Sequence, residues 1–140
     1  MEESIRKAFE LSAPSVRQVP ALSLAYLGDA VYELVVRTVL LEQEGGKNGV
    51  LHHRTLPYVS AVGQARMAQG LLPELTEEEQ AVYRRGKNAK PEHGAKSASA
   101  QEYHMATGLE ALIGSLYLEG KTDRILELIR KGMAYAAGKD

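Results

Sequence analysis

Two acidic residues of this chain stand in stretches that are otherwise apolar and fit helices. Asp29 lies in LAYLGDAVYE, residues 24–33, and Glu110 lies in TGLEALIGSLYLEG, residues 107–120. A carboxylate within an apolar helix costs free energy unless it is solvated, paired or bound to a metal ion. If the two helices pack together, both carboxylates can converge on Mg²⁺, a hard cation that prefers oxygen ligands.

Each of these acidic residues also has a simpler interpretation. A lone Asp or Glu on a helix commonly faces water, and Glu33 can pair with Arg37 four residues later. Under this interpretation the chain is a structural helical module without catalysis. The two interpretations differ in one geometric expectation, because in a purely structural module Asp29 and Glu110 can lie far apart.

A basic segment lies between the two acidic motifs. Residues 84–96, RRGKNAKPEHGAK, hold five Lys and Arg residues against one Glu, although the whole chain has a formal net charge of −1. Local charge decides whether a phosphate backbone can dock, and a solvated charged loop is the alternative interpretation. An acidic metal pair with a basic segment is the minimum needed to cleave a phosphodiester. The residues predicted to bind the phosphates of a nucleic acid are Arg84, Arg85, Lys87, Lys90 and Lys96, with Asn88 as a polar contact.

The elements that must position these residues are predicted to be helices. Apolar residues recur at helical spacing from Leu24 to Val39, and Pro20 and Gly45 mark the ends of a helix over 20–44. No segment shows the alternation of a β-strand. Further helices are predicted over 50–57, 58–69, 77–85, 100–119 and 123–136, with caps at Thr76, Ser99 and Thr122 and ends at Pro57, Gly70, Gly86 and Gly120.

This pattern predicts an all-α fold, a single compact domain of six or seven helices. We expect an N-terminal arm over 1–19, a catalytic domain over 20–136 and a C-terminal tail over 137–140. The 140 residues fit one domain, and the absence of cysteine excludes disulfides and thiolate metal sites. Because the longest apolar stretch, 34–41, is interrupted by an arginine, we expect no contact with a membrane and a cytoplasmic location.

The two acidic motifs together resemble the signature of the ribonuclease III family. That family carries a helix that reads E-x-L-E-F-L-G-D-[SA]-[VIL] and a later helix that reads D-x-x-E-A-L-[IL]-G-x-x-[YF]-[LI]. The matching stretches here are residues 22–31 and 107–118. The short chain and its RRGKNAK segment resemble the Mini-III branch, which lacks a double-stranded-RNA-binding domain. The resemblance covers about residues 20–135.

The resemblance implies a double-strand-specific endoribonuclease that uses Mg²⁺, with Mn²⁺ as a substitute. It assigns catalysis and metal binding to Asp29 and Glu110. Two further acidic positions of the family pattern fall on Ala25 and Thr107, which supply no carboxylate. We therefore expect one firmly held metal ion, with Glu33 as a candidate extra ligand. The missing acids also keep an alternative open, a catalytically inactive ribonuclease III fold that binds RNA or a ribosomal partner.

The resemblance also implies a homodimer whose two sites cut opposite strands of an RNA duplex. In the Mini-III branch the implied substrate is the double-stranded stem of precursor 23S ribosomal RNA. Whether a ribosomal protein assists is left open by the sequence. The candidate surfaces for the dimer are the apolar faces around Tyr26, Tyr32 and residues 109–116, for which core packing is the simpler account.

Overall fold

Seven α-helices and two short 3₁₀ helices form the part of the chain that the computed structural model describes, residues 1–89 and 99–137. Within these residues there is no β-strand. The predicted all-α fold with six or seven helices is therefore confirmed. In chain order the helices are α1 (Glu2–Ala8), α2 (Ala21–Glu44), α3 (Asn48–Val59), α4 (Ala61–Leu71), α5 (Glu77–Asn88), α6 (Ala100–Leu118) and α7 (Thr122–Ala136).

Helices α5 and α6 begin at the two predicted capping boxes. The Thr76 hydroxyl accepts a hydrogen bond from the Glu79 amide (3.1 Å), and the Glu79 carboxylate accepts one from the Thr76 amide (2.9 Å). Ser99 and Glu102 form the same reciprocal pair at the start of α6. Each box satisfies two amides that a helix start would leave unpaired. The predicted cap at Thr122 is wrong, because this residue is already the first of α7.

Three predicted helix ends are also wrong, since Pro57, Gly70 and Gly86 lie inside α3, α4 and α5. Pro57 is in the last turn of α3, where it removes one backbone hydrogen bond and only two further residues of the helix follow it. The two glycines continue their helices because a neighbour occupies the space of a side chain. A Cβ on Gly70 would overlap the ring of Tyr135, and one on Gly86 would lie 2.6 Å from the Cβ of Ala111. This close packing outweighs the helix-propensity cost of glycine, about 1 kcal/mol.

Helix α6 forms the centre of the domain, with α2, α4 and α5 packed around it. Every residue from 106 to 116 is buried except Glu110, which is partly exposed. Glu110 is the one charged residue in this stretch. The other residues are uncharged, as expected for a helix that is enclosed by its neighbours. Gly120, with a φ of 74°, ends the helix region as predicted. No helix among the described residues has the length and apolar character needed to cross a membrane.

Candidate functional site

The backbones of α2 and α6 touch where two glycines face the opposite helix. A Cβ added to Gly28 would overlap the carbonyl group of Glu110, and a Cβ added to Gly114 would overlap the carbonyl group of Leu24. Glycine at both positions therefore lets the two helices cross without an intervening side chain. Because Asp29 follows Gly28 directly, the crossing places the acidic residue of α2 beside that of α6.

The carboxyl groups of Asp29 and Glu110 interact strongly. Burial of Glu110, its hydrogen bond with Asp29 and the charge of Asp29 raise the pKa of Glu110 to about 9. Burial and the nearby negative charge both disfavour the ionised form of Glu110, so Glu110 keeps its proton when no cation is present. Asp29 is exposed, and the pair therefore opens to the protein surface. Asp29 and Glu110 therefore lie close together, as expected for a pair that could bind a metal ion. A purely structural module would have allowed them to lie far apart.

Glu33 borders this acidic pair on α2. It forms the predicted ion pair with Arg37, with 3.7 Å between the carboxylate oxygen and the guanidinium nitrogen. Exposed pairs of this kind contribute little to stability. The charge of Glu33 also contributes to the raised pKa of Glu110, which shows that Glu33 faces the same region. The sequence-based expectation of Glu33 as an auxiliary group is compatible with this position.

Gln64 of α4 borders the pair from the other side and was missed by sequence reasoning. Its side chain is 2% exposed. A hydrogen bond from Gln64 lowers the pKa of Glu110 and so opposes the effect of burial. The signal that could have revealed it is helical spacing. Gln64 occupies the first position of a buried stripe that continues with Met67, Ala68 and Leu71, where a polar residue is unusual.

The chemistry of the carboxylate ligands decides which metal ion the site could hold. Within residues 1–89 and 99–137, no three or more His, Cys, Asp or Glu side chains are grouped to hold a metal ion. A closed zinc site is therefore not formed by the described residues. Two carboxylates at a partly open surface fit Mg²⁺, which proteins commonly hold by one or two carboxylates while it keeps several waters. Asp29 and Glu110 fit that description.

Comparison with known proteins identifies the family to which this arrangement belongs. The family model described as Ribonuclease III domain matches residues 22–121, which include both Asp29 and Glu110. The chain belongs to the ribonuclease III family. It is accordingly a double-strand-specific endoribonuclease, a hydrolase whose substrate is RNA. Enzymes of this family generally depend on a divalent metal ion.

Individual relatives confirm the predicted Mini-III branch. The chain is 49% identical over 112 residues to a protein named Mini-ribonuclease 3 from Symbiobacterium thermophilum, covering 80% of this chain and 86% of that protein. It is 44% identical to the Mini-ribonuclease 3 of Enterococcus faecalis, over 81% of this chain and 87% of that protein. A crystal structure of a protein from Fusobacterium nucleatum is similar with a TM-score of 0.77 at 34% identity, covering 81% of this chain and 93% of that one.

Buried residues fill the two positions at which the chain departs from the ribonuclease III pattern. Ala25 packs with Leu24 and Ala111 in a small apolar cluster. Thr107 is buried, and its hydroxyl donates a hydrogen bond of 3.0 Å to the carbonyl of Tyr103 one turn earlier. Neither position gives the acidic pair another ligand. This ribonuclease III-type site therefore has two facing carboxylates where the family pattern allows four.

Part of the predicted basic loop is helical. Helix α5 continues to Asn88, whereas the sequence predicted a helix over 77–85 that ends at Gly86. The reason is the packing of Gly86 against α6, which holds the last turn in place. Arg84 and Asn88 are exposed one helical turn apart. Lys87 and Asn88 line a surface cleft together with residues of the first turns of α6.

The other predicted RNA contacts do not join this group in the described structure. Arg85 projects from a different side of α5, where its guanidinium donates a hydrogen bond of 2.9 Å to the carbonyl of Val19. It thereby attaches the end of the N-terminal segment to α5. Lys90 and Lys96 lie outside the described residues. Arg84, Lys87 and Asn88 are thus the predicted contacts that the structure places near one another.

The candidate interface residues divide into core and surface. Tyr32 is 1% exposed, and its hydroxyl donates a hydrogen bond of 2.6 Å to the carbonyl of Tyr58. The apolar residues of 109–116 are likewise buried in the core. Tyr26 is 84% exposed. Of the three candidate surfaces, only the one around Tyr26 is therefore accessible to a partner.

Proposed function

We propose that this enzyme hydrolyses phosphodiester bonds of double-stranded RNA at Asp29 and Glu110 with Mg²⁺, for which Mn²⁺ can substitute. The observation that carries the proposal is the convergence of these two carboxylates at the crossing of α2 and α6. Without a cation, the burial of Glu110 and then the neighbouring Asp29 disfavour its charged form and raise its pKa to about 9, so part of this cost is repulsion between the two carboxylates. A divalent cation would remove this repulsion and make use of the oxygen ligands.

The residues of the chain bind and position the reactants in this proposal. A bound divalent cation supplies Lewis acidity that favours attack of water on phosphorus and stabilises charge on the leaving oxygen. Glu110 must release its proton to act as a ligand, so metal binding is linked to proton release. The exposed side of Asp29 admits the phosphodiester. Arg84, Lys87 and Asn88 contact phosphates further along the duplex.

We further propose that each subunit holds one metal ion firmly. Ala25 and Thr107 are buried and lack carboxylates, so they provide no second set of ligands. Glu33 lies one helical turn from Asp29 and adds negative charge without being grouped as a third ligand among the described residues. A second cation, where it takes part, would therefore arrive with the phosphates of the substrate.

An exposed apolar face of α2 supports a homodimer. Its large residues are separated by four, eight and seven positions, which places them on one side of the helix. A contiguous exposed apolar patch commonly marks an interaction surface. Because Asp29 is on the same helix, two copies paired through this face would bring two sites together about a two-fold axis. The face comprises Leu22 (41% exposed), Tyr26 (84%), Leu34 (50%) and Leu41 (52%).

Replacing Leu34 with Glu is predicted to dissociate this dimer, because pairing would bury an unpaired carboxylate at the interface. We expect a shift to monomer at micromolar concentration and a loss of coupled cleavage of the two strands, measured by sedimentation and by duplex nicking. Leu126→Glu is the matched control, since Leu126 is similarly exposed but lies on α7. A monomeric wild-type protein, or a dimeric Leu34→Glu variant, would contradict the proposal.

The substrate that we propose is the double-stranded stem of precursor 23S ribosomal RNA in the cytoplasm. Similarity to the Mini-ribonuclease 3 proteins supports this choice. The described part of the chain consists of one helical domain. A ribosomal protein bound to the stem would add further RNA contacts to those of this domain.

Cleavage of defined RNAs tests the proposed function. The protein is incubated with a 23S precursor stem, a long unrelated duplex and the matching single strand, each with Mg²⁺ or with a chelator. We expect the duplexes to be cleaved in Mg²⁺ and not in the chelator. Added salt should reduce cleavage steeply, because binding to phosphates releases counterions from the RNA. Equal cleavage in the chelator would refute the metal dependence. Duplex binding without cleavage under any condition would favour the inactive RNA-binding alternative.

A further inference from the structure

A surface cleft lies between the end of α5 and the first turns of α6. Its volume is about 460 Å³, and it is lined by Lys87, Asn88 and Ala89 on one side and by Gln101 and His104 on the other. Pockets that bind small molecules commonly measure about 300 to 1,000 Å³. None of these lining residues carries a carboxylate, so the cleft does not repel an anion. Its size and charge therefore suit one unit of a nucleic-acid backbone.

The imidazole of His104 is not explained by the packing of α6. Its Nδ1 atom is buried and has no hydrogen-bond partner among the described residues. A buried polar atom without a partner is unfavourable, and a phenylalanine would fill the same space without that cost. Because the side chain of His104 also lines the cleft, Nε2 is the ring nitrogen that a ligand can reach.

The start of α6 holds the polar groups of the cleft on a rigid support. The rings of Tyr103 and His104 form an edge-to-face contact, with 6.1 Å between their centroids and 70° between their planes, which restricts the imidazole. The reciprocal hydrogen bonds of Ser99 and Glu102 fix the first turn of the helix. Gln101 and His104 are three residues apart and therefore lie on the same side of α6.

The mixture of groups in the cleft indicates which part of a nucleic acid it fits. Lys87 is the only cation among the described residues that line it. Phosphate oxygens only accept hydrogen bonds, whereas an amide and an imidazole can both donate and accept. A ribose 2′-hydroxyl also donates and accepts, and it is the group by which a protein distinguishes RNA from DNA. The cleft therefore matches a ribose with its adjoining phosphate better than a phosphate alone.

We propose that this cleft is a subsite for one ribose–phosphate unit of the RNA duplex, in which His104 and Gln101 hydrogen-bond to the 2′-hydroxyl and Lys87 binds the phosphate. The inference rests on the proposed contact of Lys87 and Asn88 with the duplex. His104 lies six residues before Glu110, about 9 Å along the helix axis, so the subsite contacts the backbone away from the cleaved bond. Helix α6 thereby contributes to the selection of RNA over DNA.

Single 2′-deoxy substitutions, placed in turn along a labelled RNA duplex, test this inference. The dissociation constant is measured by fluorescence anisotropy in a chelator, so that cleavage does not interfere. For the wild type we expect one position in each strand at which the substitution raises the dissociation constant about five- to tenfold, the loss expected for a hydrogen bond. At the other positions it should have little effect.

His104→Phe keeps a ring of similar size and removes both ring nitrogens. We expect it to raise the dissociation constant for the all-RNA duplex about five- to tenfold. At the sensitive position the 2′-deoxy substitution should then cause no further loss, because the contact that it removes is already absent. Gln101→Ala should reduce the sensitivity to the same substitution. His104→Phe should be at least as stable as the wild type in thermal unfolding, since it removes the unpartnered Nδ1.

Lys87→Met separates the phosphate contact from the hydroxyl contact. It should weaken binding to all duplexes alike and lower the slope of log affinity against log salt by about one, while the sensitive 2′-deoxy position remains sensitive. His52→Phe is the matched control for His104→Phe, because it makes the same substitution at an exposed position of α3. It should leave every dissociation constant unchanged.

The outcomes separate this inference from the proposed function. A folded His104→Phe variant with wild-type affinity and wild-type sensitivity to the 2′-deoxy substitution would overturn the subsite, and so would a wild-type protein that is insensitive at every position. Because binding is measured without cleavage, loss of this sensitivity in His104→Phe would support the subsite even if the wild type did not cleave in Mg²⁺. Absence of cleavage would reject the proposed function alone, and absence of duplex binding would reject both.

Discussion

Asp29→Asn and Glu110→Gln are each expected to reduce cleavage of duplex RNA by at least about a thousandfold at saturating Mg²⁺, equivalent to about 4 kcal/mol of lost transition-state stabilisation. The two side chains are the facing carboxylates at the crossing of α2 and α6. Because Ala25 and Thr107 cannot replace either one, the loss of a single ligand should leave the cation poorly held. Single-turnover cleavage of a labelled duplex measures the effect.

Glu33→Gln serves as the matched control for these two substitutions. It removes a carboxylate from the same region, but Glu33 lies one turn away on α2 and pairs with Arg37. We expect a reduction of about tenfold or less, as for a group that acts through the electrostatics of the site. Equal losses for all three variants would show that total negative charge matters more than the facing pair. Retention of a tenth of the wild-type rate in Asp29→Asn or Glu110→Gln would reject their proposed roles.

The Glu110→Gln variant should fold well, so its inactivity would not reflect unfolding. Folding raises the pKa of Glu110 from an ordinary value of 4.5 to about 9, so the folded protein holds this proton more tightly than the unfolded chain. The associated stabilisation is complete below pH 4.5 and is lost as the pH rises through the folded pKa. Glutamine does not titrate. In the presence of a chelator, the free energy of unfolding of the variant minus that of the wild type should therefore increase by about 1 to 2 kcal/mol from pH 5 to pH 8. This range allows for the partial exposure of Glu110.

Urea unfolding at several pH values measures this difference. Mg²⁺ should stabilise the wild type at pH 8 and have little effect on the variant, because the cation binds the folded carboxylate pair. A stability difference that does not change with pH would contradict the raised pKa.

Gly28→Ala is expected to destabilise the fold by about 3 kcal/mol and to abolish cleavage. The added Cβ would overlap the carbonyl group of Glu110, which belongs to the backbone of α6 and cannot rotate away. Relief requires α2 and α6 to separate, and this separation would also pull Asp29 away from Glu110. Helix propensity alone predicts the opposite sign, because alanine is favoured over glycine within a helix by about 1 kcal/mol.

Gly49→Ala is the control that isolates this steric effect. Gly49 is also helical, in α3, but nothing lies within 4 Å of a Cβ added there. We expect this variant to be as stable as the wild type or more stable by about 0.5 to 1 kcal/mol. Thermal and urea unfolding compare the two variants. Similar stabilities for Gly28→Ala and Gly49→Ala would show that the helices can adjust their crossing without cost.

Local sequence patterns predicted most of the helices because their determinants lie within one or two turns. The stripe from Leu24 to Val39 indicated α2, and the boxes at Thr76 and Ser99 marked the starts of α5 and α6. A capping hydrogen bond spans three residues and needs no other part of the chain. The motif around Asp29 and Glu110 likewise indicated the ribonuclease III family, which the comparison confirmed.

The errors arose where a neighbouring helix overrides the local preference. Gly70 and Gly86 resemble helix ends in the sequence, yet α4 and α5 continue through them because Tyr135 and Ala111 occupy the adjacent space. The end of α5 mattered for function, since it decides that Arg84 and Asn88 lie on one helical face while Arg85 does not. Sequence reasoning treated these residues as one basic loop.

The sequence by itself determined that Asp29 and Glu110 are acidic residues in apolar helices, and that Ala25 and Thr107 leave them without two of the family's carboxylates. Only the tertiary structure decided that the two side chains lie together and that the pKa of Glu110 is raised, because their separation depends on how closely Gly28 and Gly114 allow α2 and α6 to approach. It likewise brought Gln64 to Glu110. The physical reason is that a helix crossing depends on side chains distant in the sequence that fill one core, whereas helix formation and capping depend mainly on neighbours within a turn.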